Sequence, residues 1–316
     1  MKIENLSSAE KKLIDKNNRL VGKAIHKYNL INEGDRIAIG ISGGKDSFIL
    51  LESLALRLKY SPVKYSIFPV HVKIKEVPYS IDENYVEKIC KDMSLNFYVK
   101  SLSVDFSHDS QDLGKDFQDF NHDSQDLNHD YQDLGKDFQD SLHRGHHQDL
   151  DTSNTSSPSE VLTISGTSTQ KDSLNKDKKI SQCFICSWNR RKELFKFCRE
   201  HNCNKLALGH HLDDAIQTLI MNLIFQGSIS SMPADLKLFD GDVSIIRPLL
   251  LLPEQNLIDH ALAREYPKEK KMCPYSDESS RNSIKAIISE MEKLNPRAKS
   301  SIFAAMCNVH GEYLPK

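Results

Sequence analysis

Ile37-Ala38-Ile39-Gly40-Ile41-Ser42-Gly43-Gly44-Lys45-Asp46-Ser47 is an apolar strand running into a tight Gly-Gly turn, and the turn opens the apolar helix Phe48–Leu54. A turn of this kind aims successive backbone N–H groups and a helix N-terminus at one point, which suits a phosphate. Gly43 and Gly44 let the backbone approach closely, Ser42 and Ser47 offer hydroxyls to phosphoryl oxygens, and Lys45 adds a point charge. Asp46 is the unusual member. A carboxylate beside a phosphate nest makes sense if it holds a magnesium ion that bridges the phosphates.

Two common phosphate loops do not fit. A Walker loop needs four residues between its glycines and a Lys-Ser or Lys-Thr pair, whereas Lys45 is followed by Asp46. The dinucleotide fingerprint G-x-G-x-x-G is absent from this turn. Ser42–Ser47 instead resembles the S-G-G-x-D-S loop of the ATP pyrophosphatase (PP-loop) family, whose members split ATP into AMP and pyrophosphate.

Outward from the loop, strand and helix patterns alternate. Ser8–Leu30 is predicted as an amphipathic helix, Arg36–Ile41 as a strand and Phe48–Lys59 as a helix. Tyr65–Ile74 and Asn96–Leu102 read as strands around a helix at Ile81–Met93. After residue 182 the pattern resumes, with helices at Ser187–His201, Asp213–Phe225, Glu254–Glu265 and Asn282–Leu294 and strands at Lys205–Gly209 and Val243–Pro248. The expected fold is α/β, with a doubly wound, mostly parallel sheet.

Between the two stretches the pattern stops. Residues 108–142 are five copies of a seven-residue unit (HDSQDLG, KDFQDFN, HDSQDLN, HDYQDLG, KDFQDSL), followed by a Ser/Thr-rich tract to about Ile180. The spacing is heptad-like, but two aspartates per unit and recurrent Gly, Asn and Ser disfavour a stable helix. Residues 105–180 are therefore expected to be a disordered insertion of tandem-duplication origin. It would interrupt one domain, 31–104 and 181–316, preceded by an N-terminal helical segment, 1–30.

Composition sets broad limits. Among 316 residues no apolar run approaches a membrane span, and Met1–Lys16 is polar and charged, unlike a secretory signal. A cytoplasmic protein is expected. Seven cysteines then suggest reduced thiols or metal ligands rather than disulfides. Net charge is −2, yet Val104–Ile180 holds 16 acidic and 7 basic residues, leaving 28 acidic and 35 basic residues elsewhere. The part expected to fold is basic, as suits a polyanion binder.

Cys183-Phe184-Ile185-Cys186 stands just before a predicted helix rich in Arg and Lys, including Arg190, Arg191 and Lys192. A C-x-x-C pair can hold two corners of a metal or cluster site, or act as a redox dithiol. A third thiol is available at Cys273, in Met272-Cys273-Pro274-Tyr275-Ser276. Cys90, Cys198, Cys203 and Cys307 stand singly and read as small buried hydrophobes. In Leu208-Gly209-His210-His211-Leu212-Asp213-Asp214 a strand gives way to a helix. Its aspartates can cap that helix, or meet magnesium or a cluster iron at the sheet edge where the first loop also ends.

Together SGGKDS (42–47), CFIC (183–186), LGHHLDD (208–214), IRPL (246–249) and MCPYSD (272–277) resemble the tRNA 2-thiocytidine synthetases in order and spacing. SWNRR (187–191) is similar to their CSRLRR region, and the likeness covers about residues 10–104 and 180–315. The resemblance implies a [4Fe–4S] cluster on Cys183, Cys186 and Cys273, and thiolation of C2 of cytidine 32 in a tRNA anticodon loop. ATP, magnesium and sulfur from a cysteine desulfurase would be consumed or used, by a homodimer. Ser42, Gly43, Gly44, Ser47 and Gly209 would bind ATP, Lys45 would neutralise charge, and Asp46 with Asp213 or Asp214 would position magnesium. Asp214 could instead approach the open iron. Backbone groups of Val70, His71 and Val72 are candidates for the adenine, and Arg190, Arg191 and Lys192 for RNA, although a basic run of this kind is often only a solvated helix face. Two rivals stand beside this reading: a thiouridine synthetase of the same superfamily, and a non-catalytic iron–sulfur or zinc protein that only binds tRNA.

Overall fold

The computed structural model describes residues 6–77, 81–106, 182–267 and 280–314. The first part runs α1 (Ser8–Lys27), β1 (Arg36–Gly40), α2 (Lys45–Arg57), β2 (Ser66–Ile74), α3 (Glu83–Asp92) and β3 (Tyr98–Leu102). The second runs α4 (Gln182–Glu200), β4 (Lys205–Ala207), α5 (Leu212–Met221), β5 (Asp235–Leu238), β6 (Val243–Ile246), α6 (Glu254–Ala263), α7 (Ser280–Leu294) and α8 (Ala298–Ala305). The repeat units at 108–142 and Cys273 lie outside the described residues.

One six-stranded sheet has the order β3-β2-β1-β4-β6-β5, parallel except for β5, which pairs antiparallel with β6. β1 is the pivot: the chain builds outward from it first through β2 and β3, then on the other side through β4 and β6. A crevice at the carboxyl ends of β1 and β4 is the place where such sheets bind ligands.

Side chains alternate across the sheet as the strand repeat requires. Ile37 and Ile39 of β1 join the core beneath α1, α2, α3 and α6, while Ala38 joins the core beneath α4. Both faces are covered, which explains the apolar strands. A third cluster packs Leu212, Ile216 and Ile220 of α5 against Ile284 and Ile288 of α7.

Two departures from the sequence reading matter. The Cys183–Cys186 stretch does not precede a helix but forms the first turn of α4. The β5–β6 hairpin, absent from the sequence reading, turns through Phe239, Asp240 and Gly241 at φ 54°, 53° and 97°. Asp240-Gly241 is the turn signal that the long surrounding loop concealed.

A buried polar network locks α1, α2 and α6 together. The Glu52 carboxylate on α2 accepts hydrogen bonds from Arg264 and from the Tyr266 hydroxyl, and His260 Nε2 lies 3.5 Å away. Asn17 on α1 donates to the Asn256 carbonyl at 3.1 Å, and Asn256 donates back to Asn17 Oδ1 at 3.0 Å.

Candidate active-site cleft

β1 ends at Gly40, and the Ile41 N–H still reaches the Val70 carbonyl at 2.8 Å before the chain leaves the sheet. Gly43 then takes φ +82°, a conformation that side-chain-bearing residues rarely adopt, and Gly44 starts α2. The Ser42 hydroxyl accepts from the Gly44 N–H at 3.3 Å. Ser47 is buried, and its hydroxyl donates to the Gly44 carbonyl at 2.8 Å. Ser47 therefore holds the turn together, and its proton is not directed at a ligand.

Lys45 Nζ lies 3.3 Å from Asp46 Oδ2 and 3.8 Å from Glu254 Oε1 at the start of α6. The other oxygen of Asp46, Oδ1, is buried and has no hydrogen-bond partner. Burial raises the Asp46 pKa, and the nearby Asp214 charge adds to this; Lys45 and His211 only partly oppose it. An orphaned carboxylate oxygen in a desolvated place is what a divalent cation would relieve.

The paired aspartates at the start of α5 separate. Asp214 lines the cleft and accepts the His211 N–H at 3.0 Å. Asp213 is buried; its Oδ2 accepts the Glu254 N–H at 2.6 Å and its Oδ1 pairs with Lys299 at 2.8 Å. Both oxygens of Asp213 are thus engaged by α6 and α8, and of the pair it is Asp214 that lines the cleft. Gly209 backs directly onto the loop, where an added Cβ would meet the Asp46 backbone carbon at 3.2 Å and Ser47 N at 3.3 Å.

These elements border a cleft of about 790 Å³. Ser42, Asp46, Ser47, Gly209 and Asp214 form one wall, and Cys183 and Cys186 face it from the first turn of α4. Arg190 and Arg191, about one turn beyond Cys186 on α4, also line it, whereas Lys192 is exposed away from it. Val70, His71 and Val72 do not line this space; Glu76, Val77 and Phe106 close that end instead. Val70 and Val72 are buried, and in a parallel ladder their main-chain groups point the same way. Since Val70 bonds to Ile41, those of Val72 face the place where β1 has already ended. His71 is buried with Nδ1 2.8 Å from the Ile41 carbonyl; burial lowers its pKa, so a neutral ring donates that bond and steadies the loop.

Cys90, Cys198 and Cys203 are buried, and burial pushes their thiols up to about 12, 12 and 11. Cys307 is exposed, contrary to its reading as a buried hydrophobe. His211, Glu254, Lys299 and Phe106 were not singled out from sequence. The quoted LGHHLDD run holds a signal only for His211; the others come from distant elements.

The PP-loop domain family matches residues 12–120 and 168–291 and leaves the centre of the repeat region between them. The chain is 29% identical to the tRNA-cytidine(32) 2-sulfurtransferase of Geotalea uraniireducens over 96% of each chain. It is 30% identical to tRNA-cytidine(32) 2-sulfurtransferase 1 of Francisella tularensis subsp. tularensis, over 92% of this chain and 85% of the relative. In fold it is similar to the U34-tRNA thiolase NcsA from Methanococcus maripaludis, solved with its [4Fe-4S] cluster, at a TM-score of 0.60 and 22% identity over 97% of this chain and 81% of that one. No helix among the described residues is long and apolar enough to cross a membrane.

Proposed function

The chain belongs to the PP-loop family, in the group of the tRNA-cytidine(32) 2-sulfurtransferases, and on that premise we propose that it activates C2 of cytidine 32 in a tRNA anticodon loop with ATP and replaces the oxygen there with sulfur. One observation carries this reading: the phosphate loop, Asp214 and the Cys183–Cys186 pair face one another across a single cleft.

The chemistry follows from the substrate. The C2 oxygen of a pyrimidine is a poor leaving group, so AMP is first transferred to it from ATP and pyrophosphate departs. A sulfur nucleophile then adds to C2, and AMP leaves with the oxygen. Main-chain groups of Gly43 and Gly44, with Ser42, cradle the phosphates. Lys45 turns from Asp46 and Glu254 toward the phosphates as negative charge collects on the departing pyrophosphate. The free main-chain edge at Val72 receives the adenine.

Asp46 and Asp214 fit a magnesium ion, on the evidence of the buried, unpartnered Asp46 oxygen. Bound there, magnesium supplies charge neutralisation for the phosphates. Cys183 and Cys186, on one helical turn and facing the cleft, fit two corners of a [4Fe–4S] cluster, with Cys273 as the third ligand. Such a cluster supplies an open iron site for sulfur. Arg190 and Arg191 hold the anticodon-loop backbone, which presents an unstacked base more cheaply than a duplex does. A cysteine desulfurase provides sulfur, and the working form is a cytoplasmic homodimer.

The test is anaerobic incubation of iron- and sulfide-reconstituted protein with ATP, magnesium, a sulfide source and tRNA, followed by nucleoside mass spectrometry. The expected result is 2-thiocytidine at position 32 with one AMP released per thiolation. A thiolated uridine with cytidine untouched, or tRNA binding without AMP, overturns the assignment. Zinc in place of iron and acid-labile sulfide removes the cluster.

A further inference from the structure

We propose that the outward face of α1 is a docking surface for the phosphate backbone of RNA, outside the cleft that receives the reactive base; this rests on the RNA-modifying reading above. α1 begins with a capping box in which Ser7 and Glu10 satisfy each other's backbone N–H groups, so Glu10 is already engaged. Its inner face is fully committed, because Ile14, Asn17, Val21 and Ala24 are buried. The opposite face carries Lys12, Lys16, Arg19 and Lys23, all exposed. At 1.5 Å per residue these four cations span about 16 Å along the helix.

A solvated lysine face is common, but here the number of like charges on one face and their placement beside the cleft point to a polyanion. Some lysines elsewhere are paired with carboxylates, Lys73 with Glu83 at 2.9 Å, Lys91 with Glu87 at 2.8 Å and Lys293 with Glu290 at 2.7 Å. Lys12, Lys16, Arg19 and Lys23 make no ion pair among the described residues, and only Asp15 beside them offsets part of their charge. Their side chains surround the half-buried Leu20 on a single helix face. A row of four cations offset only by Asp15 complements a polyanionic strand. A membrane is the poorer match, since the apolar residues that would insert into lipid are buried in the fold.

Placement supports the same partner. Asn18 accepts from Ser53 of α2 at 3.1 Å, Arg57 donates to the Asn18 carbonyl, and Gly22 lies against the Arg57 guanidinium. α1 therefore runs beside α2 in the same direction, with its Lys12 end toward the phosphate loop. Asn17 is joined to Asn256, two residues from the Glu254 that faces Lys45. An RNA with one base in the cleft can continue over this edge onto α1.

The test is binding of an anticodon stem–loop RNA by the full chain, measured by fluorescence anisotropy between about 50 and 200 mM salt, for wild type and Lys16→Ala/Arg19→Ala. Each phosphate contact contributes about 0.7–0.9 to the salt slope, so the double variant is expected to lose about 1.4–1.8 from it and about tenfold in affinity. The loss is the same for an RNA lacking the target cytidine, because backbone contacts carry no sequence information. AMP release at saturating RNA stays at the wild-type rate, Lys16→Arg/Arg19→Lys restores the slope, and Lys88→Ala/Lys91→Ala on α3 does not alter it. A wild-type slope in the double variant overturns the docking surface while leaving the thiolation reading intact. Absence of any wild-type RNA binding overturns both. Anionic lipid vesicles that bind through α1, with the RNA slope unchanged, assign the surface to membranes and also overturn it.

Discussion

Asp213 Oδ1 lies 2.8 Å from Lys299 Nζ, so a carboxylate adjacent to the cleft is spent on holding the C-terminal helices in place. Its other oxygen fastens the first turn of α6. Asp213→Ala leaves the Lys299 ammonium with Glu292 as its remaining partner at 3.1 Å and the Glu254 N–H without one, and is expected to cost about 1–3 kcal/mol in urea unfolding. Asp214→Asn should change stability by under about 1 kcal/mol yet abolish ATP-dependent thiolation. Burial lowers the Lys299 pKa, but hydrogen bonds to Asp213 and Glu292 outweigh it and the net shift is upward. That contribution is complete below the ordinary lysine value of 10.5 and fades as pH rises through the higher folded value. The alkaline loss of stability should be shallower in Lys299→Met.

Asp46 has the opposite character. Burial raises its pKa, so the folded protein binds a proton more tightly there than the unfolded chain does. Stability accordingly falls as pH rises from the ordinary value of 3.8 through the raised folded one. Asp46→Asn removes this cost, and is expected to stabilise the nucleotide-free protein at pH 7 by about 1 kcal/mol while eliminating AMP formation. A thermal melt in which the variant is less stable than wild type would sink this account. Magnesium with ATP should stabilise wild type and leave the variant nearly unmoved.

Glu52 is a stability element with a clear acid signature. Burial raises its pKa, but the hydrogen bond with His260, the Arg264 charge and the Tyr266 hydroxyl together bring it below the ordinary value of 4.5. Its contribution is present above pH 4.5 and is lost as pH falls through the lower folded value. Glu52→Gln leaves Arg264 buried without its counter-charge and is expected to cost about 3–5 kcal/mol at neutral pH. Urea midpoints measured downward from pH 7 should fall steeply below pH 4.5 in wild type and stay flatter in the variant.

The loop at Ser42–Ser47 and the parallel strands were legible because each rests on local pattern: paired glycines after a strand, and apolar alternation. What stayed hidden depends on long-range partners. Asp213 and Asp214 are chemically alike and adjacent, and only the arrival of Glu254 and Lys299 distinguishes a structural carboxylate from one facing the cleft. Ser47 reads as a phosphate donor until the turn brings the Gly44 carbonyl within 2.8 Å. The antiparallel β5 was obscured because its four residues, Asp235–Leu238, follow a long polar loop and carry no sustained alternation.

Gly209 has a narrower tolerance than Gly40. An alanine at 209 would press its Cβ onto the Asp46 backbone carbon at 3.2 Å and Ser47 N at 3.3 Å, and backbone in the first turn of a helix cannot step aside. At 40 the nearest atom is the tip of Leu208, at 3.1 Å, which can rotate. Gly209→Ala is expected to raise the KM for ATP about tenfold through displacement of the loop, with a stability change near 1 kcal/mol. Gly40→Ala should alter KM less than threefold, and steady-state pyrophosphate release separates the two.

Thiol chemistry offers the sharpest discrimination on α4. The thiolate is the nucleophile, so Cys90, Cys198 and Cys203, buried and with thiols pushed up to about 12, 12 and 11, should resist iodoacetamide at pH 7.5 in the folded protein. Cys183 and Cys307 are exposed and Cys186 is half-buried, and all three should be alkylated in protein stripped of metal. Reconstitution with iron and sulfide under anaerobic conditions is expected to protect Cys183 and Cys186 while Cys307 remains reactive, because only the first two face the cleft. Peptide mass spectrometry reads each site separately. Continued alkylation of Cys183 and Cys186 after reconstitution would remove them as cluster ligands, and Cys183→Ser or Cys186→Ser should then leave thiolation intact.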